Sequence, residues 1–202
     1  MWIRRFVQLQ LGLCLFGFSA ALMVRAGLGL DPWNVFHQGL SERAGLSLGT
    51  VVIGMGVLVM LMWIPLRQKP GLGTLSNIFV IGLALDASLV VLPLVEGLVL
   101  RSVLMVSGVG LNAVASAAYI GAGMGPGPRD GLMTGLNRRL GWSIRVSRLT
   151  VEIVVLALGW LLGGTIGLGT VAYALAIGPL IQVFLPWFEA TPKREISPAA
   201  SV

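Results

Sequence analysis

The stretch Gly123-Met-Gly-Pro-Gly-Pro-Arg-Asp-Gly-Leu-Met-Thr-Gly-Leu136 lies between two long apolar runs, and its reading decides the fold. Gly125, Gly127 and Pro128 disfavour continued helix up to this point, whereas Pro128 suits the first position of a new helix, where its missing N–H costs nothing. A helix is therefore predicted to restart at Pro128. Its free N–H groups and Arg129 would face whatever lies in front, an arrangement suited to an anion. The same frame occurs earlier, as Gly27-Leu-Gly-Leu-Asp-Pro-Trp-Asn-Val-Phe-His-Gln-Gly-Leu40.

The two stretches belong to a longer repeat. An offset of 96 positions aligns Gly27 with Gly123, Pro32 with Pro128, Arg43 with Arg139, Ser47 with Ser143, and the whole of Gly71-Leu-Gly-Thr74 with Gly167-Leu-Gly-Thr170, without a gap. Upstream, Gly12 falls on Gly108 and Ala21 on Ala117, so the first apolar run has a counterpart in mid-chain and is read as part of the fold rather than as a cleaved signal peptide. Each copy holds three runs of membrane length: Phe6–Val24, Leu48–Leu66 and Leu75–Leu94, then Val99–Met124, Val146–Leu162 and Val171–Phe188.

Composition fixes the class. The chain is 56% apolar and 11% charged, with a mean hydropathy of +0.91, whereas a soluble domain carries roughly 25% charged residues. The expectation is an all-α polytopic membrane protein in a single membrane domain, residues 1–202. Repeat 1 spans 5–95, repeat 2 spans 101–188, and a polar cytoplasmic tail occupies 189–202. Three runs per copy is an odd number, so six spans require the second copy to enter from the opposite side, giving two inverted three-helix repeats. Arg4, Arg5, Arg67, Lys69, Arg129, Arg138, Arg139, Arg145, Arg148, Lys193 and Arg194 then share one side, against Arg25, Arg43 and Arg101 on the other. This asymmetry places both termini in the cytoplasm and accounts for the formal +6 without nucleic acid. The lone Cys14 excludes a disulfide framework and a cysteine-based metal site.

Between the first and second runs of each copy lies a short helix, Pro32–Ala44 and Pro128–Leu140, too short to cross roughly 30 Å of hydrocarbon. Two placements are open. Each helix can lie flat on the membrane, with Trp33, Phe36 and Leu40 or Leu132, Leu136 and Leu140 towards lipid, or it can be a broken, re-entrant half-helix aimed at a shared site. In the second case Asp31, Pro32 and Asn34 from one copy and Gly127, Pro128, Arg129 and Asp130 from the other form the substrate-binding set. Asp31 caps its own helix and Gly127 leaves the other end open, so the Pro128 end is the better anion site. An Arg129–Asp130 ion pair fixing the loop is the structural alternative.

Asp86, deep in the third run, and Glu152, four positions after Arg148, are the candidates for proton or cation coupling, because a carboxylate in hydrocarbon is costly unless it meets water, a cation or a partner. Glu152 has the plainer alternative of pairing with Arg148. Asn77, Asn112, Ser116, Tyr119 and Tyr173 are further polar groups in apolar runs, and His37 is expected at the surface. The Gly-Leu-Gly-Thr motifs lack the Lys-Ser/Thr of a phosphate loop and read as turns that open the third and sixth runs.

The Gly-Leu-Gly-Leu-Asp-Pro-Trp-Asn-Val and Gly-Met-Gly-Pro-Gly-Pro-Arg-Asp-Gly-Leu-Met blocks, with Val151-Glu152 ahead of Gly163-Gly164-Thr-Ile-Gly-Leu-Gly-Thr170, resemble the YczE/YyaS/YitT family of bacterial membrane proteins, the YczE branch most of all. The resemblance covers residues 5 to 188 and implies a bacterial inner-membrane location. It brings no substrate with it.

Three function classes remain. An intramembrane enzyme is disfavoured, because no catalytic Ser–His or Cys–His set, no zinc motif and no aspartate pair is present, so no catalytic residue, metal or cofactor is assigned. A small-solute transporter or channel with an anion-friendly site is preferred over a scaffold or accessory subunit, because a scaffold has no use for open half-helix ends. The partners are then the lipid bilayer and a small, anionic solute, with a second copy of the chain left open.

Overall fold

The structure, a computed structural model, describes residues 2–189. The predicted tail, with Lys193 and Arg194, falls outside the described residues from position 190 onward. Every regular element within them is helical: α1 (Trp2–Ala26), α2 (Pro32–Ala44), α3 (Leu48–Leu61), α4 (Trp63–Leu66), α5 (Leu72–Val91), α6 (Leu98–Gly121), α7 (Pro128–Leu140), α8 (Ile144–Leu161) and α9 (Leu168–Phe188). Five stretches among the described residues are long and apolar enough to cross a membrane, namely α1, Leu48–Leu66, α5, α6 and α9. The sixth expected span, α8, is a helix of 18 residues but carries Arg145, Arg148 and Glu152, which sets it apart from that group. The run Leu48–Leu66 is broken at Met62 into α3 and α4, next to Pro65, whose ring cannot donate to the preceding turn.

Helices α1 and α6 form the centre, and small residues let their backbones approach. A Cβ on Gly12 would stand 3.0 Å from the Tyr119 amide, and one on Gly108 would stand 3.1 Å from the Ser19 carbonyl. Gly12 and Gly108, and likewise Ser19 and Ala115, are 96 positions apart, and Gly12 also faces the Ala115 carbonyl. Close helix contacts of this kind hold a bundle together where lipid removes the hydrophobic incentive for association.

The same offset governs the polar contacts that tie the halves together. Gly73 N–H donates to the Met124 carbonyl and Gly169 N–H to that of Leu28, both at 2.8 Å. Arg43 donates to the carbonyls of Leu161 and Leu162, and Arg139 to that of Pro65. Arg101 donates to the carbonyls of Ala26 and Gly27. The Gly-Leu-Gly-Thr turns behave as expected, with the Thr74 and Thr170 hydroxyls accepting from Gly71 N–H and Gly167 N–H.

The two short helices begin and end where the sequence predicts, with Pro at the first position and left-handed Gly45 and Gly141 as C-caps. Their lipid-facing placement is corrected for several side chains. Trp33 and Leu132 are each only 6% exposed, because α2 lies against α8 and α7 against α3, α4 and α8. Gly159 and Gly164 admit the Val35–Phe36 backbone of α2, while Gly131 admits the indole of Trp63 on the other side. The Trp63 Nε1–H donates to the Pro128 carbonyl at 3.0 Å, so one large ring in one half fills the space that two glycines leave for backbone in the other.

Candidate functional site

Both short helices aim their N-termini into the bundle, and a cavity of about 160 Å³ lies where they meet. From α2 and its cap it takes Asp31, Pro32, Trp33 and His37; from α7 and its cap it takes Gly127, Pro128, Arg129, Asp130 and Met133. Arg148 and Glu152 of α8 close one side. The remaining wall is mainly apolar, built from Val52, Met55 and Val59 of α3, Ile78 and Ile81 of α5, and Ile177 and Ile181 of α9.

Each charged group in this cavity has a definable partner. The Asp31 carboxylate caps α2, accepting from Asn34 N–H at 3.3 Å and from the Asn34 side-chain amide. Asn34 is thus buried behind Asp31 and acts on the site by orienting that carboxylate. Arg129 does not pair with its neighbour Asp130: it stands 3.8 Å from Asp31, with its guanidinium 4.7 Å from the centre of the Trp33 ring. Asp130 instead accepts from the Tyr119 hydroxyl at 3.1 Å. Its carboxylate folds back towards Gly127, 3.1 Å from where a Cβ on that residue would lie, so the open end of α7 has an acid beside it. Arg148 and Glu152 form the expected i,i+4 pair at 2.9 Å.

Behind the lining, the Tyr173 hydroxyl donates to Asn112 Oδ1 at 3.0 Å and the Asn112 amide donates to Ser19 Oγ at 2.9 Å, a buried chain leading towards α1. One buried lining donor, Trp33 Nε1, has no partner, and Ser116, 4% exposed, and Asn77 stand in the same lining. Unmet donors in a buried polar corner are costly and mark a place where a ligand or water completes the structure.

Two residues stand elsewhere than their sequence patterns suggest. His37, expected at the surface, is 1% exposed, and its Nδ1 lies 3.4 Å from Asn34 Oδ1. Burial first, and the positive charge of Arg129 second, hold its imidazole well below the usual value, which leaves it neutral at pH 7. Asp86 is not part of the cavity lining. It accepts from Gly49 N–H at 2.7 Å and from the Ser47 hydroxyl, so it serves the N-terminus of α3 from across the α3–α5 contact. No group of three or more His, Cys, Asp or Glu side chains among the described residues is arranged to hold a metal.

A second, more open hollow shares Tyr119, Ile120 and Asp130 with the cavity and is otherwise formed by the Gly123–Pro126 loop. It adjoins the cavity at the end of α6.

Comparison with known proteins gives the same breadth of likeness along the chain. Residues 3–186 match the model of a family of unknown function, DUF6198. An uncharacterized protein of Haemophilus influenzae is 38% identical over 188 residues, covering 92% of this chain and 86% of its own. The uncharacterized membrane protein YczE of Bacillus subtilis is 32% identical over 177 residues, 87% of this chain and 82% of its own. The uncharacterized protein YyaS of the same organism is 28% identical over 189 residues, 92% and 94% of the two chains. No solved structure matches the chain.

Proposed function

The chain belongs to DUF6198 and is a membrane protein, and from its cavity we propose that it is a small-solute transporter or channel that binds the anionic part of its solute between two inverted repeats. The observation that carries this reading is the 3.8 Å approach of Arg129 to Asp31. Two helices lying flat on opposite membrane faces could not bring their N-termini together, whereas re-entrant half-helices do so by construction.

The layout is six spans in a bacterial inner membrane, α8 included, with both termini in the cytoplasm. It is supported by the polar contacts between halves, each of which joins segments that this layout puts on one face: Leu28 with Gly169, Arg43 with Leu161 and Arg101 with Gly27 outside, Met124 with Gly73 and Arg139 with Pro65 inside. Access to the site runs through the hollow under the Gly123–Pro126 loop. The Pro128 helix end and Arg129 hold the acidic group of the solute, and Glu152 is a cation or proton partner by way of Arg148. No covalent chemistry is assigned to the chain.

A stabilisation screen of the purified full chain in detergent, against inorganic anions, carboxylic acids, amino acids and neutral sugars, tests the reading. Solutes with an acidic group should raise the unfolding temperature of the native protein but not of Arg129→Ala, and should cross proteoliposomes that contain the native protein. A screen in which only neutral solutes bind, or in which the acids bind Arg129→Ala equally well, overturns it.

A further inference from the structure

The chemistry of the solute can be taken further, on the basis of the proposed site, by matching its charges and donors. Asp31, Asp130 and Glu152 face Arg129 and Arg148, so the lining carries three carboxylates against two guanidiniums, with His37 neutral. Two of the carboxylates have cationic partners, Asp31 with Arg129 and Glu152 with Arg148. Asp130 accepts from the Tyr119 hydroxyl and makes no ion pair within 4 Å among the described residues, the charge of Arg148 reaching it only from farther off. A simple anion placed here would add a second uncompensated negative charge to a buried site, which the low-dielectric surroundings strongly disfavour.

The donors point the other way. Trp33 Nε1 is buried with no protein partner and the N-terminal amides of α7 have no side-chain cap, so both need an acceptor. The occupant must therefore bring acceptors to one part of the cavity and a cation to another. Its remaining surface meets Val52, Met55, Ile78 and Ile177, which offer no polar group. A cavity of about 160 Å³ is close to one that holds benzene, which limits the occupant to roughly six to nine non-hydrogen atoms.

We propose that the solute is a small zwitterion with an apolar side chain, of the size of an aliphatic α-amino acid, whose carboxylate meets Arg129, Trp33 Nε1 and the α7 N-terminus and whose ammonium meets Asp130. Asp130 sits three residues into α7, beside the amides that would hold the carboxylate, and this matches two opposite charges on one carbon.

The test compares valine with its two halves, isovalerate and isobutylamine, by calorimetric titration and thermal stabilisation of the full chain in detergent at pH 7. Valine should bind at least about tenfold more tightly than either, since each half forfeits a charge-assisted contact. Asp130→Asn should weaken valine by a similar factor and leave isovalerate unchanged or improved. Isovalerate binding the native protein as tightly as valine would overturn the zwitterion and leave the anion site standing. Isobutylamine binding as tightly as valine, with isovalerate silent, would overturn both, whereas a protein that none of the three stabilises would overturn the zwitterion and leave the anion site to the wider screen. The native-protein comparison decides the matter even if Asp130→Asn fails to fold.

Discussion

Arg129 and Asp31 stand 3.8 Å apart, each at the start of a short helix, and the guanidinium lies over the ring of Trp33 two residues beyond its acidic partner. The side chain of Asp31 is 6% exposed and that of Arg129 28%, so the pair is only partly shielded, and the distance is at the edge of an ion pair. Asp31 has Asn34 as a second partner and does not depend on Arg129 for satisfaction.

A double-mutant cycle should consequently couple Arg129→Ala to Asp31→Asn by no more than about 1 kcal/mol, and Arg129→Ala to Asp130→Asn by nothing measurable. Unfolding of the four variants in each cycle checks this. Strong coupling to Asp130 would return Arg129 to the loop-fixing role that the adjacency of the two residues suggests.

Asp86→Ala should destabilise the protein by about 1–3 kcal/mol, because the Gly49 amide and the Ser47 hydroxyl lose their acceptor at a helix start. Solute affinity should stay as it is. A variant of native stability that has lost ion or proton dependence of uptake would instead give Asp86 a coupling role.

Gly131→Ala drives a methyl into the Trp63 ring, which is held by its bond to the Pro128 carbonyl, and overpacking of this kind costs about 1–3 kcal/mol. Gly54→Ala is the matched control: nothing lies within 4 Å of the added Cβ, and the helix should gain about 0.5–1 kcal/mol. Thermal unfolding of the two variants should move in opposite directions.

The buried His37 makes stability depend on pH in a fixed sense. Its folded value is lowered, so below about 6.5 the unfolded chain takes up a proton that the folded chain refuses. The contribution of neutral His37 is complete above that pH and declines as pH falls from it towards the folded value. The unfolding temperature of the native protein should therefore drop between pH 7.5 and 5.5 more than that of His37→Gln, and parallel curves would remove His37 as the cause.

Glu42 and Arg138 are exposed and are related by the same 96-position offset as the two short helices. In a Cys14→Ser background, single cysteines at these two positions should react with an impermeant maleimide from opposite faces of the membrane, Glu42→Cys from outside. Labelling of both from one face would exclude the inverted layout.

Local chemistry made the helix starts legible: a proline at the first position, glycines ahead of it and a glycine at the far end place α2 and α7 without reference to the rest of the chain. The Arg148–Glu152 pair was legible for the same reason, since helical spacing alone brings the two together. Arg129 shows the limit. Its nearest acid in sequence is Asp130, while the acid it meets lies in the other half, and no local pattern records which of two carboxylates a buried guanidinium will reach. The burial of His37 was hidden similarly, because it depends on Gly159 of α8 and Gly164 in the turn beyond it leaving room for α2. Asp86 looked costly in the sequence, and its acceptor role became visible only once Gly49 was known to lie against Gly82.

The exchange of backbone bonds between Gly73 and Met124, and between Gly169 and Leu28, also bears on the order in which the chain is born. Residues 71–74 leave the ribosome well before the carbonyls of Met124 and Pro126 that they bind, so the first half reaches the translocon with that turn unanswered. The turn gains those acceptors only after the second half has begun to emerge. The second half meets no such delay, because Leu28 is already waiting for Gly169. Biogenesis is thus lopsided even though the finished contacts are matched: a chain halted between the halves holds the Gly73 amide and the Thr74 hydroxyl without the acceptors they meet in the whole protein.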